Sequence, residues 1–184
     1  MKILRAIASF LARAISGIGI TRLFKPIKLN PEEITALNKL MPATIILTNT
    51  KGYLSNLFIE GRWDHAMIVS FDSTVVEATS KGIIRRGIVD ALSDKSHFAV
   101  VHPSFAKRHE MFSAASYANS LVGKEYDFEF ASDNDKYYCS ELISAAYVYA
   151  CGRFPTDYDS ILGMPVVRPQ HIFDSPDFFC TWER

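Results

Sequence analysis

The stretch Lys136-Tyr137-Tyr138-Cys139-Ser140-Glu141-Leu142-Ile143-Ser144-Ala145-Ala146-Tyr147 decides how the rest of this chain is read. Leu142, Ala145, Ala146 and Tyr149 fall at i, i+3, i+4 and i+7, one face of a helix. Ile143, Tyr147 and Ala150 widen that face, so the helix is expected to be buried on most sides. Gly152 is the expected stop, and Ser132-Asp133-Asn134-Asp135 ahead of the aromatics is a turn signal. Cys139 therefore falls in the first helical turn, where N–H groups point outward and the dipole is positive. That setting favours the nucleophilic thiolate. The competing reading is a buried, inert cysteine, because cysteine is among the most buried residue types. A histidine placed to pair with Cys139 decides between the two.

The bulk properties narrow the classes. A chain of 184 residues is large enough for one domain with a real core. Apolar residues make up 48% and charged residues 22%, an ordinary globular mixture. The formal net charge is zero, so no basic field points to nucleic acid. Cys139, Cys151 and Cys180 are widely spaced and form no CxxC pair, which argues against a zinc knuckle or a disulfide framework. A reducing, cytoplasmic compartment is the expectation.

Residues 1–16 read MKILRAIASFLARAIS, with Ile3, Ala6, Ile7, Phe10, Leu11, Ala14 and Ile15 on one helical stripe. Arg5 and Arg13 interrupt any continuous apolar run, so neither a signal peptide nor a spanning helix is expected. The segment reads as an amphipathic helix packed on the domain or a partner. The basic polar face also suits peripheral membrane contact. Residues 1–41 are taken as this helix, a linker and a second helix beginning at Asn30-Pro31-Glu32-Glu33, where Asn30 caps and Glu33 completes a capping box. Residues 42–184 are taken as the catalytic domain.

That domain begins β-rich. Met41–Thr48, Ala66–Phe71, Thr74–Ala78, Gly82–Val89 and His97–Val101 are expected strands, and a helix is expected from Phe105 to Val122. The stretch after the cysteine helix reads as loop-rich, with Pro155, Pro165, Pro169 and Pro176.

His65 stands at the entry of an apolar strand and Glu77 near the end of the next. A hairpin loop centred on Phe71 makes them direct cross-strand neighbours on one face. A carboxylate beside an imidazole fixes its tautomer and raises its basicity, the third-member role in a nucleophilic triad. An even-length loop would put Glu77 on the opposite face. Taken singly, each is more often a satisfied strand-end histidine or a solvated carboxylate; joined to a helix-start cysteine, the pattern is more specific.

At this point the motifs resemble a known family. Lys51-Gly52-Tyr53-Leu54-Ser55-Asn56-Leu57-Phe58-Ile59, then Trp63-x-His65-Ala66 and Val76-Glu77-Ala78, look like the first half of the circularly permuted papain-like amidases of the YaeF/YiiX type, relatives of the NlpC cysteine peptidases. Gly123-Lys124-Glu125-Tyr126-Asp127-Phe128-x-Phe130 and Tyr137-Tyr138-Cys139-Ser140-Glu141-Leu142 are similar to the family's second-half segments, as is the tail Arg168–Pro176. Permutation accounts for His65 preceding Cys139.

The resemblance implies an α+β fold, with an antiparallel sheet or partial barrel packed against helices. It implies a thiol hydrolase with Cys139 as nucleophile, His65 as general base and later acid, and Glu77 as the orienting residue, with no cofactor. Tyr138, Tyr126 and Ser140 are candidate substrate or oxyanion contacts, and Asp127 is a candidate cap for the cysteine loop. The expected substrate is a small-molecule, peptide or lipid-like acyl compound. An amidase is the leading reading. A lipid acyltransferase or thioesterase of the lecithin:retinol acyltransferase-like type is the first alternative, and a non-catalytic binding module the second. His97, His102 and His109 match no common zinc spacing. Lys81, Arg85 and Arg86 read as a solvated basic turn able to meet a substrate carboxylate, and Cys151 and Cys180 as packing residues.

Overall fold

The computed structural model describes residues 27–49, 61–131, 134–161 and 163–184. The expected helix of residues 1–16, the linker after it, the motif at 51–59 and the turn residues Ser132 and Asp133 lie outside them.

Six strands form one antiparallel sheet in the order β4-β3-β2-β1-β5-β8. They are β1 (Ile45–Asn49), β2 (His65–Val69), β3 (Thr74–Thr79), β4 (Gly82–Gly87), β5 (His97–Pro103) and β8 (Phe178–Glu183). A small hairpin, β6 (Asp159–Ile161) and β7 (Met164–Val166), stands apart. Helices cover both faces, and strand alternation sorts the core accordingly. Ile45, Leu47, Ala66, Ile68, Val76 and Ala78 face α3 (Arg108–Ser120) and α4 (Cys139–Cys151). Ile46, Met67, Val69, Val75, Phe98 and Val100 face α1 (Pro31–Leu37) and α2 (Ile88–Leu92).

The capping box of α1 forms as the sequence requires: Glu33 N–H donates to Asn30 Oδ1 at 2.9 Å and Asn30 N–H to the Glu33 carboxylate at 2.7 Å. Helix α4 begins at Cys139 and ends at Gly152, whose φ of +71° is a left-handed cap that glycine adopts without strain. Its buried face differs from the expected one. Leu142, Ile143, Ala146 and Tyr147 point inward, whereas Tyr149 is 64% exposed and stacks on Tyr117. The Tyr147 hydroxyl donates to Ala43 O and fastens the helix to the entry of β1.

Three further differences have physical reasons. The expected strand Gly82–Val89 stops at Gly87, and residues 88–92 turn into α2, burying Ile88, Ala91 and Leu92. The stretch around Met41 to Thr44 is a turn, with Ala43 at φ +67°, so β1 starts only at Ile45. The loop-rich tail, for which no elements were expected, holds the β6–β7 hairpin, α5 (Pro169–Asp174) and the edge strand β8. β8 lacks a clean apolar alternation because it runs along the sheet edge with most of its residues exposed.

Candidate active site

The β2–β3 hairpin pairs Val69 with Val75 and Ile68 with Val76, so its loop is centred on Asp72 rather than Phe71. The expected direct pairing of His65 with Glu77 is therefore corrected. Continued along the strands, this register sets Glu77 across from Met67, with His65 diagonal to it on the same face. The diagonal is short enough: His65 Nε2 lies 2.7 Å from Glu77 Oε2. Glu77 is buried at 1% exposure, and its other oxygen accepts from Arg86 Nε on β4.

Cys139 reaches this pair from the opposite side of the sheet. The β2–β3 ladder ends at Ile68, while β2 stays paired with β1 as far as His65. Ladder parity aims the Ala66 N–H at β3, yet β3 has already parted from β2 there. The sulfur of Cys139 lies beside that N–H and beside the His65 ring, and both favour its thiolate. With Nε2 given to Glu77, Nδ1 is the nitrogen left for the sulfur. Cys139 is 7% exposed.

The tail holds His65 in place. Gln170 Oε1 on α5 accepts the N–H groups of Arg62 at 2.8 Å and Trp63 at 3.4 Å, just ahead of β2. Trp63 is fully buried against Phe173, with ring centroids 5.5 Å apart. Gly61, at φ +117°, lies so close to Gln170 that a Cβ there would sit 2.8 Å from its side chain. On α4, Glu141 accepts the Tyr138 N–H at 3.2 Å and closes the helix start. Burial raises the Glu141 carboxyl to about 7, with Asp127 adding to the rise.

Burial works against both charges of the Cys139–His65 pair, but the hydrogen bond and charge between them outweigh it. The thiol is held below its ordinary value and the imidazole above its own, with Glu77 adding to the latter. Burial likewise opposes the Glu77 anion, and His65 and Arg86 overcome it, holding the carboxyl at about 2. Imidazole, carboxylate and guanidinium thus alternate in charge behind the sulfur.

The other candidates divide. Ser140 Oγ donates to Val167 O at 2.8 Å, and Val167 N–H donates to the Tyr138 hydroxyl at 3.1 Å. The two side chains clamp one residue of the segment after β7. Ser140 also lies beside the sulfur. Asp127 is fully buried and accepts from the N–H groups of Glu129 at 2.8 Å and Ala131 at 2.7 Å, fixing the loop ahead of α4. Tyr126 is half-buried. Burial, with the charges of Cys139 and Asp127, pushes its hydroxyl well up, so it stays a donor. Among the described residues that hydroxyl has no hydrogen-bond partner. Tyr126 also lines a hollow of about 220 Å³ with Ser80, Lys81, Gly82, Glu125 and Phe128. His97, His102 and His109 are not gathered into this site. Burial holds the His102 imidazole low, and its ring stacks on Phe179. Arg86, expected in a solvated turn, carries no local sequence signal for this role; its partner is set by β3–β4 register alone.

No curated protein matches this chain. Among solved structures it resembles the crystal structure of YiiX from Escherichia coli O157:H7, titled there a metalloprotein, with a TM-score of 0.68 and 19% identity. The match covers 78% of this chain and 97% of that one, and it shows a shared fold. No group of three or more His, Cys, Asp or Glu side chains suited to a metal occurs among the described residues of this chain. No helix among them is long and apolar enough to cross a membrane. The family model for the permuted papain-like amidase enzymes, YaeF/YiiX, C92 family, matches residues 39–179. With the family's order of motifs, its antiparallel sheet between helices and its helix-start cysteine all present, this chain belongs to the permuted papain-like amidases of the YaeF/YiiX type.

Proposed function

We propose that the chain hydrolyses an amide bond, in a peptide or an N-acyl amino acid, through a thioester on Cys139. The observation that carries this is the unbroken contact from the Cys139 sulfur through the His65 ring to the buried Glu77 carboxylate, 2.7 Å beyond it. Ionised Cys139 attacks the acyl carbon and a C–S bond forms. The carbonyl oxygen gains the charge, and the Cys139 N–H at the helix start and the Tyr126 hydroxyl are the donors that meet it. The C–N bond breaks as the leaving amine takes the imidazolium proton of His65. Neutral His65 then removes a proton from water, which attacks the thioester. The product leaves as a carboxylic acid and the thiolate returns. Glu77 keeps the imidazole in one orientation throughout. The hollow beside Tyr126 receives the group next to the scissile bond.

The lipid acyltransferase reading drew its support from residues 1–16, which lie outside the described structure. The test is a panel of N-acyl amino acids and peptide amides, incubated with the full chain and quenched in acid. An acyl adduct on the Cys139 peptide, with no turnover by Cys139→Ser, supports the proposal. Undiminished turnover by Cys139→Ser overturns it.

A further inference from the structure

Glu77 has two carboxylate oxygens, and both are taken. Oε2 meets His65 at 2.7 Å and Oε1 accepts from Arg86 Nε. The β3–β4 register makes this second contact: Glu77 pairs with Ile84, and Arg86 stands two residues along on the same face of β4. At 1% exposure, Glu77 has no access to water that could replace Arg86. A buried carboxylate with one oxygen unpaired tends to take up a proton or turn away from its partner. Arg86 is itself held from outside, because Asp90 on α2 lies 3.7 Å from its Nη1.

The charged and titratable groups that bear on Glu77 are few. β2 supplies His65 and β4 supplies Arg86. Asp90 and Asp94, on and just after α2, act through Arg86, and Cys139 of α4 acts through His65. Thr48, which faces His65 from β1, carries no charge.

We infer that Arg86 is a positioning residue for the site: it occupies the carboxylate oxygen that His65 leaves and so keeps Glu77 a fixed anion behind the imidazole into acidic solution. Its importance for turnover rests on the amidase reading above, but its hold on Glu77 does not. Removing Arg86 leaves the nucleophile and the imidazole in place and loosens the group that orients the imidazole. The loss then falls on kcat, while KM, which Arg86 does not touch, stays the same.

The experiment follows the His65 ring resonances by NMR from pH 3 to pH 7 in the full-length protein. Protonation of Glu77 appears as an inflection in the His65 shifts, and Glu77→Gln identifies it by abolishing it. The wild type is expected to show no such inflection down to pH 3. Arg86→Met should bring one into the range, at least one pH unit higher, whereas Arg86→Lys, which keeps the charge, should stay close to wild type. If Arg86→Met does not fold, Arg86→Gln provides the same reading without the charge. An Arg86→Met or Arg86→Gln protein that melts earlier yet shows no inflection overturns the inference, because Arg86 would then only brace the sheet. For turnover, Arg86→Met should lower kcat about tenfold in the wild type and not further in a Glu77→Gln background. An inflection that moves with Arg86, with no amide turned over by the wild type, would uphold the hold on Glu77 and sink the amidase reading instead.

Discussion

The Cys139 sulfur lies beside the backbone N–H of Ala66 at the point where β3 has stopped pairing with β2. This one contact lets a cysteine from the helix layer on one side of the sheet join an imidazole and a carboxylate that alternation assigns to the other. A full-length β2–β3 ladder would consume that N–H and close the gap. The early splay of the hairpin is thus part of the site, not a fraying end.

The proposed mechanism makes His65 the partner of the Cys139 thiolate. Replacing it by asparagine keeps the size of the ring's polar end and removes the proton donor. His65→Asn should lower kcat by about 10²- to 10⁴-fold, the usual worth of a positioned acid–base group. Steady-state assay on the substrate found in the acyl-adduct panel checks this; a loss below about tenfold contradicts the assigned role.

Tyr126 offers its hydroxyl to no described group and remains protonated through the neutral range. Tyr126→Phe should reduce kcat by roughly tenfold or more with little change in melting temperature, as expected when one oxyanion donor is lost. An unchanged kcat would leave the Cys139 N–H as the donor that matters.

Ser140 sits beside Cys139 but spends its hydroxyl on Val167 O. Ser140→Ala leaves a buried carbonyl unpaired, at a cost of about 1–3 kcal/mol. In a chain of this length that lowers the melting temperature by about 2–4 °C per kcal/mol. Calorimetry reads it directly, and an unaltered melting temperature would mean the clamp on Val167 is weak.

Glu141 gives a stability signal of known sign. Its folded-state value, about 7, lies above the ordinary carboxyl value. A carboxyl raised in this way is ionised more easily in the unfolded chain. Stability therefore falls as pH rises from the ordinary value through about 7, and is level above it. Glu141→Gln does not titrate and retains an oxygen for the Tyr138 N–H. Its melting temperature should match the wild type near pH 4 and exceed it increasingly up to pH 8. A constant offset across that range would remove the case for a strained charge at Glu141.

The sequence made the chemistry legible where periodicity and local rules operate. The helix start at Cys139, the stop at Gly152 and the capping box of Asn30 and Glu33 all follow from near neighbours in the chain. The shared face of His65 and Glu77 followed from parity, which a shift of two residues does not alter. The register itself was not legible, because Asp72 and Ser73 both adopt positive φ and move the turn one residue along. Arg86 and Gln170 were missed for a related reason. What they touch is fixed by strand pairing and by the docking of α5, neither of which leaves a local pattern. Tyr149 was placed inside because a helical stripe does not say where the neighbouring layer ends.

The most direct measurement is the alkylation of Cys139 by iodoacetamide at pH 6, read by peptide mass spectrometry so that Cys151 and Cys180 serve as internal references. A thiolate held by His65 should react at least about tenfold faster than either reference, and His65→Asn should erase the difference. Equal rates at all three cysteines, or a Cys139 rate untouched by His65→Asn, would contradict the account.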